Sequence, residues 1–286
     1  MSAELGFGTD TNGIKDRRGI PIIISDRHKF VFVHIPKCAG TTVRTLLEQF
    51  DETDGAYAPS IRKHPTLGRV DYTHLPLKLL REIAPEDFGK VRTYRAFALV
   101  RDPEARFVSA LSQRLKMYGT HELAQIDTAE ADRLAGEVVE RLQDPSAAHL
   151  PEFIHFARQS DFISCDGEEL IEDLYPTTHV SHLVREIGRI TGEDMGRVGN
   201  DNPTLVFRND GLRRLALGGK AISQGLLGTQ ATTTLRGWAR RLLMTPLQDG
   251  GRHFPLGDEV RAFVRTFYAE DFRLYARVSQ AMQSDR

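Results

Sequence analysis

The sequence predicts a three-layer α/β fold, a central mainly parallel sheet flanked by helices, on three observations. Lys29 to Ile35 (KFVFVHI) is a nearly continuous β-branched and aromatic run, the pattern of a buried parallel strand. A Pro and Gly loop follows it, and then Val43, Leu46, Leu47 and Phe50 recur at helical spacing. The same strand, turn, helix plan returns at Tyr94 to Val100 (YRAFALV). There Asp102 reads as an N-cap, Pro103 as a first-turn residue, and Phe107, Leu111, Leu115 and Tyr118 as one apolar face. Strands that alternate with helices favour a parallel sheet.

The remaining elements follow from the same signals. Pro21 to Ser25 (PIIIS) reads as a strand, Asp51 to Gly68 as irregular chain, and Leu75 to Ile83 as a helix with Pro76 near its start. Ala129 to Leu142, Pro151 to Arg158 and Val180 to Ile190 read as helices, and Phe162 to Cys165 and Thr204 to Arg208 as short strands. A closing helical stripe runs through Val260, Phe263, Val264, Phe267, Leu274 and Tyr275. Between Gly211 and Pro255 the composition shifts to Gly, Leu, Thr and Arg, with Asp249 the only acid among seven basic residues. That stretch reads as a basic insertion or lid within one domain spanning residues 1–286.

Composition narrows the function classes. With 40% hydrophobic and 27% charged residues the chain has the balance of a soluble globular protein. A formal charge of -1 gives no general reason to expect nucleic acid as a partner. Cys38 and Cys165 are too sparse for a disulfide framework and suggest a reducing compartment. The first residues lack the basic start and apolar run of a signal peptide, so the expected location is the cytoplasm.

The loop HIPKCAGTT, His34 to Thr42, sits between a buried strand and a helix N-terminus, where free backbone N–H groups and the helix dipole favour an anion. Gly40 allows close backbone approach, Thr41 and Thr42 add hydroxyls, and Lys37 is a cation able to follow developing negative charge. The order differs from G-x-x-x-x-G-K-[ST], because here the lysine precedes the glycine by three residues.

This loop resembles the phosphosulfate-binding loop of sulfotransferases that use 3′-phosphoadenosine 5′-phosphosulfate (PAPS), specifically the carbohydrate and bacterial branch. Cys38 stands where that pattern usually has threonine, which removes one hydroxyl donor. VRDPEARFVSAL, Val100 to Leu111, resembles the family's second signature, with Arg101 and Ser109 in the places that hold the donor's 3′-phosphate. Weaker similarity continues through Arg158 to Phe162 and Tyr268 to Val278. The resemblance implies a P-loop-type fold, PAPS as donor, adenosine 3′,5′-bisphosphate as product, and no metal. It assigns donor binding to Pro36, Lys37, Cys38, Ala39, Gly40, Thr41, Thr42, Arg101 and Ser109, and charge neutralisation in the transition state to Lys37. A glycan or other hydroxyl compound is the acceptor by the same analogy.

A hydroxyl acceptor also needs a base, and histidine suits neutral pH. His74, in YTHLPLKLL, resembles the H-x-P element found between the two signatures in relatives, and His64, in RKHPTL, is the alternative. His34 reads as a structural contact at a strand end. His179 and His182 share an i, i+3 spacing without an evident third metal ligand. Cys38, at a helix N-terminus, reads as a thiol open to accidental reaction rather than a nucleophile. Residues 235–243 (LRGWARRLL) form an amphipathic stretch with three open uses: a lid, a membrane-surface helix, or a helix packed on the domain. Two other functions remain open, a P-loop kinase or NTPase and a non-catalytic relative that binds nucleotide or glycan.

Overall fold

The computed structural model describes residues 22–57, 60–118, 128–195, 205–207, 244–246 and 256–284. Apart from 244–246, the insertion at 211–255 lies outside them, and so do the whole 235–243 stretch and the N-terminal residues before 22.

The central sheet has the order β1 (Ile22–Ser25), β2 (Phe30–Val33), β5 (Arg95–Val100), β8 (Asp173–Pro176). β1 is antiparallel to β2, while β2, β5 and β8 are parallel. All residues of β1 and β2 are buried, as are Ala96 to Val100 of β5. Successive strand residues face opposite sides, so uninterrupted burial means that both faces of the sheet are covered. The expectation of a mainly parallel sheet flanked by helices is met.

Between β2 and β5 the chain forms α1 (Gly40–Leu47), the hairpin β3 (Ile61–His64) and β4 (Gly68–Asp71), α2 (Leu77–Ile83) and α3 (Pro85–Thr93). The hairpin falls mainly where irregular chain is expected. Seven of its eight residues are not buried, so it carries no apolar alternation to read. Pro85 separates α2 from α3, because it fits a first turn but disfavours helical geometry at Ala84 before it.

After β5 come α4 (Pro103–Tyr118) and α5 (Thr128–Leu142). The Ala105 N–H donates to Asp102 Oδ1 at 2.9 Å, which is the expected N-cap contact. Phe107, Leu111 and Leu115 are buried, but Tyr118 at the helix end is 55% exposed and falls outside the apolar face.

Pro151 to Arg158, expected as a helix, instead contains a short 3₁₀ turn at Ile154–Phe156. The Phe156 and Ala157 N–H groups donate three residues back, to Phe153 O and Ile154 O at 2.7 and 3.2 Å, and the three carbonyls from which a longer helix would continue are taken by other side chains. His155 O and Ala157 O accept from the Arg106 guanidinium at 3.1 and 2.6 Å, and Phe156 O accepts from the Tyr268 hydroxyl at 2.6 Å. With these carbonyls held by Arg106 and Tyr268, the turn does not continue into an α-helix beyond Ala157.

The expected strand at Phe162 to Cys165 shrinks to β6 (Ser164–Cys165), which pairs with β7 (Glu168–Glu169) across an Asp166-Gly167 turn with both residues at positive φ. This hairpin stands apart from the central sheet. After β8 comes α6 (Val180–Thr191), ended by Gly192 in the left-handed conformation. β9 (Leu205–Phe207) pairs antiparallel with β10 (Met244–Pro246). The closing stripe forms two helices, α7 (Asp258–Phe267) and α8 (Ala269–Ser284), separated at the fully buried Tyr268. α8 packs on β8, α4 and α7, bringing the end of the described chain against the middle.

Candidate active site

Val33 of β2 is in register with Ala98 of β5, so the loops that follow both parallel strands leave the sheet at its C-terminal edge. Open α/β sheets bind ligands at that edge. The first loop runs from His34 to Ala39 and is tightened by the Cys38 N–H donating to Ile35 O at 3.2 Å. Lys37 and Ala39 have φ of 67° and 53°, left-handed values on either side of Cys38. Such a backbone gathers N–H groups into an anion-binding concavity. Ala39 is also the N-cap of α1 and makes no side-chain cap hydrogen bond, as alanine cannot. Gly40, Thr41 and Thr42 supply the backbone of the first turn of α1.

The cations converge on this loop. Arg101 Nη1 donates to Lys37 O at 3.4 Å, which joins the two signature segments directly. Lys37 Nζ donates to Gln113 Oε1 at 3.4 Å. Ser109 lies one turn before Gln113 on α4, so the two share a helix face. Burial, then the charges of Lys116 and Arg101, lower the Lys37 pKa to about 8, with Cys38 opposing. A lysine so crowded by positive charge is suited to a polyanion.

Behind the loop, a fully buried glutamine ties the segments together. Gln159 Oε1 accepts from the Arg101 N–H at 2.8 Å and from the Cys38 thiol at 3.3 Å, while Nε2 donates to Arg101 O at 2.9 Å. The N–H groups of Gln159 and Ser160 donate to the Asp271 carboxylate at 2.8 and 3.0 Å. Cys38 is fully buried with its thiol turned to the interior, so this departure from the threonine pattern is absorbed by Gln159.

Three histidines form a wall beside Lys37. The rings of His34 and His74 lie 5.4 Å apart, and those of His74 and His155 5.0 Å apart. Burial, then His74 and Arg44, hold the His34 pKa well below the ordinary imidazole range. Burial, then His74 and Lys37, push that of His155 down to about 3. Both rings are therefore neutral at physiological pH. His74 Nδ1 lies 3.1 Å from Asp71 Oδ2. Burial alone would raise the Asp71 pKa, but its bonds to His74 and Thr73 prevail and lower it.

Lys37, Arg101 and His74 thus belong to one region at the sheet's C-terminal edge, and Ser109 stands on α4 one turn before the Gln113 that Lys37 contacts. His64 ends β3, and its Nδ1 accepts from the N–H groups of Thr66 and Leu67 in the hairpin turn, both at 3.4 Å. His34, expected as a structural contact, packs directly on the His74 ring. The His179 and His182 rings are 5.3 Å apart, and among the described residues no group of three or more His, Cys, Asp or Glu side chains is arranged to hold a metal. Sequence reasoning missed Gln113, Lys116, His155 and Asp71. Only Asp71 had a local signal, three residues before His74.

No curated protein and no solved structure matches the chain. Among the described residues no helix is long and apolar enough to cross a membrane. A family model does match, over residues 21–172, and that span contains the anion-binding loop, the β3–β4 hairpin, Asp71, all three clustered histidines, Arg101, Ser109 and Gln159. The match covers just over half of the chain and includes both segments that meet at Lys37 and Arg101, and on that ground the chain belongs to the sulfotransferase family, as a member of the family 2 type.

Proposed function

We propose that this enzyme moves a sulfuryl group from PAPS to an acceptor hydroxyl, with a carbohydrate or glycoconjugate as acceptor, and releases adenosine 3′,5′-bisphosphate. The observation that carries this reading is the meeting of the two signature segments, 64 residues apart, through Arg101 and the Lys37 carbonyl. A donor with anionic groups at both ends of its ribose fits two cationic loops side by side. The uncapped turn at Ala39, the left-handed Lys37 and Ala39, and the gathered charges of Lys37, Arg101 and Lys116 support that fit.

PAPS supplies a sulfuryl group activated by its anhydride bond to phosphate. In this reading the backbone from Pro36 to Thr42 holds the phosphosulfate end, and Arg101 and Ser109 hold the 3′-phosphate. Lys37 neutralises charge that builds on the bridging oxygen, so a metal is not required for that role. His74 accepts the acceptor's proton, a role for which its place between the His34 and His155 rings, both within reach of the Lys37 charge, speaks more strongly than the turn-bound position of His64. The reading takes the fold as P-loop type and the chain as one domain with a basic insertion at 211–255.

Calorimetric and thermal-shift titration with adenosine 3′,5′-bisphosphate, against ATP with and without Mg²⁺, tests the donor. A ligand at about 100 times its Kd stabilises the native state by about 2.7 kcal/mol. The bisphosphate should raise the melting temperature without Mg²⁺. A response to Mg-ATP alone would replace this reading with a kinase or NTPase. Transfer from labelled PAPS to a panel of glycans, lipids and small alcohols tests the acceptor, and bisphosphate binding without transfer to any of them would indicate a non-catalytic relative.

A further inference from the structure

The sequence from Asp71 to His74 folds as a tight turn that fixes a carboxylate against an imidazole. Asp71 Oδ1 accepts from the Thr73 N–H at 2.7 Å, and Asp71 O accepts from the His74 N–H at 3.3 Å. With one carboxylate oxygen held by the backbone, the other faces His74 Nδ1 at 3.1 Å. Both side chains are only 12% exposed, so water competes little for this contact. The ring is confined from two further sides by His34 and His155. Neither offers the His74 Nδ1 a charged alternative, since both are held neutral by burial and by neighbouring positive groups.

We infer that Asp71 is the positioning residue for His74, holding the imidazole with its proton on Nδ1 and leaving Nε2 as the proton acceptor. The inference rests on the reading of His74 as the base. An ionised carboxylate can only accept a hydrogen bond, so the nitrogen facing it must carry the proton. During transfer, Nε2 takes the proton of the attacking hydroxyl while its oxygen bonds to sulfur. The bond from sulfur to the bridging oxygen breaks, and its electron pair leaves with the bisphosphate. The resulting imidazolium is stabilised by Asp71 through Nδ1–H, and the carboxylate itself stays ionised.

The geometry gives Asp71→Asn an unusual diagnostic value. Asparagine has one carbonyl oxygen, and the Thr73 N–H claims it, so the amide NH₂ is turned toward His74. The imidazole must then accept on Nδ1 and carry its proton on Nε2, the tautomer that cannot act as base. Nitrogen NMR of the full chain labelled in its histidines reads this directly. The expected result is Nδ1–H for His74 in the wild type and Nε2–H in Asp71→Asn, with Asp71→Glu restoring at least part of the original tautomer.

Turnover is read as bisphosphate released from PAPS, with water or the glycan panel as acceptor. Asp71→Asn should lose about 10²-fold or more in kcat, the scale of general-base catalysis, while bisphosphate affinity changes less than about twofold. His74→Ala run in parallel separates the two ideas. If His74→Ala is inactive but Asp71→Asn keeps the Nδ1–H tautomer or near-normal kcat, the role of Asp71 is overturned alone. If His74→Ala keeps near-normal turnover, the base assignment falls and this inference with it.

Discussion

Gln159 holds Arg101 by both of its main-chain groups, accepting from the N–H at 2.8 Å and donating to the carbonyl at 2.9 Å. This pairing completes the end of β5 with a side chain, 58 residues along the chain, where the ladder of the sheet stops. The direction in which Arg101 leaves the sheet is therefore set by Gln159, whose own N–H is anchored on Asp271.

Replacing Gln159 separates hydrogen bonding from volume. Gln159→Ala and Gln159→Met both remove the side-chain partner of the part-buried Arg101 N–H and carbonyl, at about 0.5–1.5 kcal/mol for each hydrogen bond lost. Methionine keeps most of the volume, so the two variants should lose similar amounts of bisphosphate affinity, about tenfold, by isothermal calorimetry. Wild-type affinity in Gln159→Met would show that packing alone positions Arg101.

Lys37 gives a pH dependence whose sign follows from its lowered pKa of about 8. The ammonium is charged below that value and neutral above it, so affinity for adenosine 3′,5′-bisphosphate should fall as pH rises through about 8. A bound polyanion restores the charge, so binding near that pH should take up protons, which calorimetry in buffers of different ionisation enthalpy detects. Lys37→Arg, charged at every accessible pH, should flatten the profile. For the ligand-free fold the sign reverses. The unfolded lysine titrates at about 10.4, so the cost of burying its charge is relieved between about pH 8 and 10.4.

Legibility in the sequence followed the range of the interactions. β2, β5 and the helices after them could be read because burial on both faces writes continuous apolar runs into short segments. Lys37, Arg101 and His74 stood out because each lies at a strand end or turn with a readable pattern. The 3₁₀ turn at Ile154–Phe156 could not be read, since the groups that claim its carbonyls come from Arg106 and Tyr268, 49 to 112 residues away. Gln159 was hidden for the same reason. Its neighbours in sequence say nothing of Cys38, Arg101 or Asp271.

The thiols provide a solvent-access test. A helix N-terminus favours a reactive thiolate, but Cys38 is fully buried with its thiol on Gln159, and Cys165 is only 6% exposed. Ellman's reagent should therefore leave the native protein unlabelled over minutes and titrate both thiols in denaturant. Fast reaction of the Cys38 thiol in the native state, assigned in a Cys165→Ser background, would show that the His34 to Ala39 loop opens readily.

The network behind Gln159 makes a prediction about stability. Arg106 and Asp271 are both fully buried, with Nη2 and Oδ2 3.8 Å apart. Arg106 also donates to His155 O and Ala157 O and lies 5.2 Å from the centre of the Tyr268 ring. Burial pushes the Asp271 pKa up, against the opposing pull of Arg106 and of the two backbone N–H groups. Asp271→Asn removes the countercharge and leaves a buried guanidinium without it, at a cost of about 3–5 kcal/mol. Denaturant unfolding should register that loss as a lower midpoint with an unchanged slope. Adding Arg106→Met removes the stranded charge but also the donors to two carbonyls, so it should recover only part of the loss. A loss below about 1 kcal/mol in Asp271→Asn, within the ordinary range for one neutral hydrogen bond, would show that hydrogen bonding rather than charge holds this junction.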